Sequence, residues 1–144
     1  MKRTIQALLL ILTVSLFATS CSKTTRNEIA ISGKWELLKT VITEDGKVIY
    51  DQYSAQESTR TYFDFNSNGE FVQTIISING TRNDSGKWIV DDDILVMTFA
   101  DHSEMYNIDK ASLLMIVLSQ SYVEDGKKYV RTITLRSDSD SSKE

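Results

Sequence analysis

The chain has one thiol, Cys21, and one imidazole, His102. Side-chain catalysis needs a cluster of titratable groups, and a single histidine in the turn-like stretch Ala100-Asp101-His102-Ser103 reads as an exposed loop residue. The densest acidic run, Asp91-Asp92-Asp93, could offer oxygens to calcium. It lacks the further ligands and the glycine of a calcium loop and reads as a solvated hairpin turn. Tyr62, Trp88, Tyr106, Tyr122 and Tyr129 are of the type that stacks on a sugar or an apolar ligand, and equally of the type that packs well on a pleated sheet. The residue inventory therefore points away from an enzyme, with no catalytic residues, no metal and no cofactor expected.

The N-terminus has the order of an export signal: Lys2-Arg3, an apolar run from Ile5 to Phe17, then small residues before Cys21. An apolar run of 13 residues falls short of the ~20 that a spanning helix needs. The quartet Ala18-Thr19-Ser20-Cys21 resembles the lipobox of bacterial lipoproteins, although Ala18 stands where that pattern usually has a larger aliphatic residue. The resemblance implies a diacylglycerol on the Cys21 sulfur and an acyl group on its new amino end after cleavage. An exported chain with one cysteine cannot form an internal disulfide, which fits such a use. Two or three acyl chains make a stable anchor where one is marginal. A lipidated Cys21 also removes thiolate metal sites and cysteine nucleophiles. Ser22, not Asp, follows the cysteine, which by analogy with lipoprotein sorting favours the outer membrane, and the lack of an acidic tag there favours its periplasm-facing side.

The formal charge is -4, and removal of Lys2 and Arg3 makes the mature chain two units more acidic. No basic patch for nucleic acid is visible, and no nucleic-acid partner is expected. The predicted organisation is a signal peptide over 1–20, a lipidated cysteine with a polar tether over 21–30, a β-domain over 31–136 and a flexible polar tail over 137–144.

From Gly33 onward, short apolar-rich runs alternate with Asn, Asp and Gly, so the fold class is all-β. Strands are predicted over Lys34–Thr43, Val48–Tyr53, Arg60–Phe65, Glu70–Ile78, Gly86–Val90, Ile94–Phe99, Glu104–Asp109, Ser112–Val123 and Lys128–Arg136. Gln52–Thr59 is the one place for a short helical turn. Asp45-Gly46, Asn68-Gly69, Asn79-Gly80 and Asp125-Gly126 supply positive-φ turn residues, while Asn83-Asp84-Ser85 also reads as a turn. Sequential hairpins suit an up-and-down antiparallel β-barrel, which removes both sheet edges. Alternation directs Thr61, Phe63, Phe65, Phe71, Gln73, Ile75, Trp88, Val90, Leu95, Met97, Phe99, Tyr106, Ile108, Arg131, Ile133 and Leu135 inward. The run Leu113–Leu118 is apolar on both faces, so its outer side needs cover from a tail, a partner or the membrane.

The opening Gly33-Lys34-Trp35, the hairpin Tyr62-Phe63-Asp64-Phe65-Asn66-Ser67-Asn68-Gly69-Glu70-Phe71, then Ser85-Gly86-Lys87-Trp88 and Tyr106-Asn107-Ile108, in that order and spacing, resemble the lipocalin-like domain of small gram-negative lipoproteins. The resemblance spans about residues 31–136. It implies that Gly33 and Trp35 are a structural signature, with Trp35 closing one barrel end. It places a late-strand cation, here Arg131, over the indole in a cation–π contact. It also implies a small apolar ligand in the barrel, with Phe63, Phe65, Phe71, Gln73, Ile75, Trp88, Met97, Tyr106 and Arg131 as the lining. A solid barrel that binds an envelope protein partner is the second reading.

The anchor is open to a direct test. Cys21→Ser should block lipid transfer and the cleavage that depends on it. The chain should then remain a precursor held by its signal or become soluble periplasmic protein, with the β-domain folded as in the parent. Fractionation and intact mass check this; a variant cut after Ser20 that still follows the outer membrane contradicts the lipid anchor.

Overall fold

The computed structural model describes residues 22–138. The signal segment, Cys21 and the last six positions of the polar tail lie outside them. A helix, α1 (Lys23–Ile31), precedes nine strands: β1 (Gly33–Glu44), β2 (Lys47–Tyr53), β3 (Arg60–Phe65), β4 (Glu70–Ser77), β5 (Gly80–Asp91), β6 (Ile94–Thr98), β7 (Ser103–Ala111), β8 (Met115–Glu124) and β9 (Lys127–Ser137). A 3-10 turn at Ser54–Gln56 falls in the stretch where a helical turn was expected. No helix among the described residues is long and apolar enough to cross a membrane.

All pairings are antiparallel, and β1 closes the sheet by pairing with β9. On its other edge β1 meets β3 at Gly33–Glu36 and β2 at Lys39–Glu44. Hence β2 and β3 lie end to end along one edge of β1 and act as a single interrupted stave of an eight-stranded barrel. Asp45-Gly46 and Asp125-Gly126 both take positive φ, as the two-residue hairpin turns require.

One end is shut by α1. Ser22 caps the helix by accepting the Thr25 N–H at 3.2 Å, and Ser32 ends it by donating its N–H to the Glu28 carbonyl at 2.9 Å. A helix of nine residues is marginal alone, so docking must hold it. Lys23 pairs with Asp93, Asn27 Nδ2 donates to the Asp92 carbonyl at 2.7 Å, and the Asp92 N–H donates to Thr24 Oγ1 at 3.0 Å. Its last residue, Ile31, is fully buried, and the Ile31 carbonyl accepts the Trp35 indole N–H at 2.7 Å. Phe65, Phe71, Leu95, Ile116, Leu118 and Leu135 are also fully buried, each burial stabilising the fold by ~1.5–3 kcal/mol.

Four expectations change. The segment read as a polar tether is helical from Lys23 and docked, because Thr24, Asn27 and Lys23 have polar partners on the β5–β6 turn. Strand β5 begins at Gly80, so Asn83-Asp84-Ser85 are strand residues held by register against Gln73, Thr74 and Val72. Strand β8 begins at Met115. Leu113 and Leu114 lie before it and are 77% and 71% exposed, so the apolar run has its first two residues in a turn and the rest in the strand. Finally, Arg131 pairs with Ile42, seven positions along β1 from Trp35 and therefore roughly 20 Å away along the strand. No cation–π contact between Arg131 and Trp35 is possible; α1 covers the indole instead.

Gly86 controls how β6 leaves the wall. A Cβ there would lie 2.0 Å from the Thr98 carbonyl oxygen and 2.9 Å from Phe71 Cε1. The bare position lets Phe99 turn onto Phe71, ring centroids 5.0 Å apart and nearly perpendicular. Gly86→Ala should cost about 1–3 kcal/mol, read as a lower urea midpoint with little change in slope. An unchanged midpoint contradicts this close approach.

Candidate functional site

Opposed residues of antiparallel strands share a face, so the register reads the interior in layers. Near the closed end, Leu37, Leu135 and Ile116 form one row; Thr40, Ile133, Leu118 and Ile108 form the next. Most of these are buried, which makes them the top of the packed core. One step further toward the open end, Tyr50, Ile42, Arg131 and Gln120 stand opposite one another across β2, β1, β9 and β8. Above them come Glu44, Tyr129 and Tyr122. The interior therefore changes from aliphatic and aromatic to polar and charged over two layers.

The carboxylates of this upper half are committed to hydroxyls and cations. Tyr50 donates its phenol to Glu57, which holds that phenol above its ordinary range. Glu44 accepts from Lys127 at 2.7 Å and from the Tyr129 hydroxyl at 3.0 Å, so its carboxyl is held below the usual range, Lys127 contributing most. The Tyr106 hydroxyl donates to Glu104 Oε2 at 2.8 Å, and burial, with the Glu104 charge adding to it, pushes that phenol far up. His102 Nδ1 lies 2.6 Å from Asp101 Oδ1 and its Nε2 lies 3.7 Å from Glu104; the Asp101 hydrogen bond raises the imidazole. The ring also stacks on Phe99 at 4.5 Å. His102 is exposed as expected, but it is held on both sides rather than loose.

A recess of about 550 Å³ opens here, lined by Gln73, Arg82, Asp84, Phe99, His102 and Glu104 among others. Arg82 pairs with Asp84 at 2.7 Å within it. A smaller recess of about 320 Å³ includes Ile75 and Arg82 at the β4–β5 hairpin, and another of about 360 Å³ includes Trp35, Tyr62 and Phe63.

The nine lining residues expected from alternation divide into two groups. Phe63, Phe65, Phe71, Trp88, Met97 and Tyr106 are buried, with Phe65 against Phe63, Phe71 and Trp88 at centroid distances of 5.5–6.1 Å. Gln73, Ile75 and Arg131 are half-buried and stand nearer the open end. Gly33, at φ 136°, turns the chain from α1 into β1, and Trp35 is buried beneath the helix. Asp92 and Asp93 hold α1. Tyr122 and Tyr129 stack on each other at 5.2 Å near the rim. Glu104 and Gln120 were missed, although their parity with Tyr106 and Leu118 marks them as inward. Tyr50, opposite Ile42, carried no such signal because the register shift between Leu37 and Lys39 changes the parity of β1, and Glu57 lies in a loop outside any alternation.

A sequence model of the lipocalin-like domain matches residues 31–114, more than half of the chain. The chain belongs to the lipocalin-like domain family. This lipocalin-like chain also shares its fold with solved structures. A lipocalin-like protein from Bacteroides uniformis is 12% identical with a TM-score of 0.52, over 75% of this chain and 98% of that one. Lobster apocrustacyanin A1 is 13% identical with a TM-score of 0.51, over 79% of this chain and 64% of that one. At such identities the likeness is one of fold. No curated protein matches the lipocalin-like chain.

Proposed function

We propose that this lipocalin-like protein is a non-enzymatic lipoprotein, anchored through acyl chains on Cys21 to the periplasm-facing side of the outer membrane, that holds a small hydrophobic or amphipathic ligand in the open half of its barrel. The observation that carries the reading is the layered interior: a filled apolar floor beneath a layer of Tyr50, Arg131 and Gln120. A barrel that needed only stability would continue its apolar packing, since half-buried charges lose hydration without filling space. The anchor fits this geometry. Ser22, next to Cys21, caps a helix that docks on the closed end, so a lipid there leaves the open end pointing away from the membrane.

Leu113 and Leu114, exposed side by side, favour a second reading, a contact with another envelope protein. An empty barrel together with one reproducible neighbour cross-linked at residue 113 in intact cells would place that reading first. Native mass spectrometry of the protein purified from its own host tests the leading one. A discrete small-molecule mass adduct, lost on denaturation, is expected; the mass of the acylated chain with nothing else bound, in every preparation, contradicts it.

A further inference from the structure

Arg131 is half-buried inside the barrel, yet its guanidinium makes no hydrogen bond or ion pair with any described residue. This is unusual for an arginine facing inward, because a guanidinium out of bulk water costs free energy unless its donors are used. The carboxylates of the open half are each hydrogen-bonded to a different group. Glu57 accepts from Tyr50, Glu104 from Tyr106, and Glu44 from Tyr129 and Lys127. The other inward cation at this height, Arg82, already has Asp84.

Register places Arg131 between Ile42 on β1 and Gln120 on β8, with Tyr50 beyond Ile42. Its positive field reaches both the Tyr50 and the Tyr106 hydroxyls, opposing the upward shift of each. Directly beneath it the floor is shut by Ile133 and Leu118, 4% and 1% exposed. An apolar tail has no room below that layer. At the hairpin tips of the open end, by contrast, Val48, Ile49, Ile78 and Val123 are all more than half exposed.

We propose that Arg131 is the receptor for the anionic head, carboxylate or phosphate monoester, of an amphipathic acid that enters the barrel head first and lays its tail outward over Ile42 toward the apolar hairpin tips. A guanidinium fork matches either oxyanion through two parallel N–H donors, and Gln120 stands beside it with an amide donor. The inference rests on the barrel being the ligand site and adds the polarity, charge and direction of the ligand.

The test uses the full-length protein in nanodiscs of zwitterionic lipid, titrated calorimetrically with octanoate, octyl phosphate, 1-octanol, acetate and inorganic phosphate, with empty discs as the blank. Octanoate or octyl phosphate should bind about tenfold or more tighter than octanol, the scale of a charge-assisted hydrogen-bond pair, and which of the two is tighter identifies the head. Arg131→Gln should weaken the acid far more than the alcohol and so close the gap between them, with Arg131→Lys in between and serving in its place if the Gln variant does not fold. Equal binding of octanol and both acids by the parent overturns the inference while leaving the barrel as a ligand site. Acetate or phosphate binding as tightly as the amphiphiles overturns the role of the tail. No binding of any amphiphile removes the ligand-binding reading itself.

Discussion

A sheet becomes a barrel only if its opening strand also pairs with its last, and here that duty falls on β1, Gly33–Glu44, which pairs with β9. Its outer edge pairs with β9 from Trp35 to Glu44, while its other edge serves β3 first and β2 afterwards. Twelve residues therefore specify three registers, and the shift between Leu37 and Lys39 is where the strand bends to satisfy them. The consequence is a wall that is complete around the closed end and interrupted above it, where Ser54–Thr59 leaves the line between β2 and β3. Every side chain discussed as a site residue takes its height in the barrel from these pairings.

That difference between the two ends has an energetic counterpart. Around the closed end, Ile31, Trp35 and the phenylalanines of β3 and β4 fill the space, and polar contacts from α1 to the β5–β6 turn fix the helix that seals it. Toward the open end, tyrosine hydroxyls and carboxylates bond to one another around Arg131. Such networks are costly when incomplete, and the free guanidinium is the place where this one is incomplete.

The barrel class and most hairpins were legible in the sequence because they rest on local chemistry: Asp-Gly turns at 45–46 and 125–126, and alternation in Arg60–Phe65 and Lys127–Ser137. The core was legible for the same reason, from Phe63 and Phe65 through Ile133 and Leu135. What was not legible depended on partners distant in sequence. The first half of β5 has polar residues on both faces, since its inward Arg82 and Asp84 sit near the open end, so no alternation announced a strand. The helix α1 lacks an apolar stripe except for Ile31 and forms on a surface supplied by Asp92 and Asp93, far along the chain. The cation–π contact failed because the resemblance supplied a residue pair, whereas only the register supplies its height.

One end of the barrel is packed and sealed while the other is polar and accessible. Native-state amide hydrogen exchange reads this residue by residue. The slowest exchange, close to global unfolding, is expected at Trp35–Leu37, Ile116–Leu118 and Ile133–Leu135, and exchange through local opening at Gly80–Ser85 and Gln120–Glu124. Equal protection of both groups, or faster exchange at the end covered by α1, would contradict it.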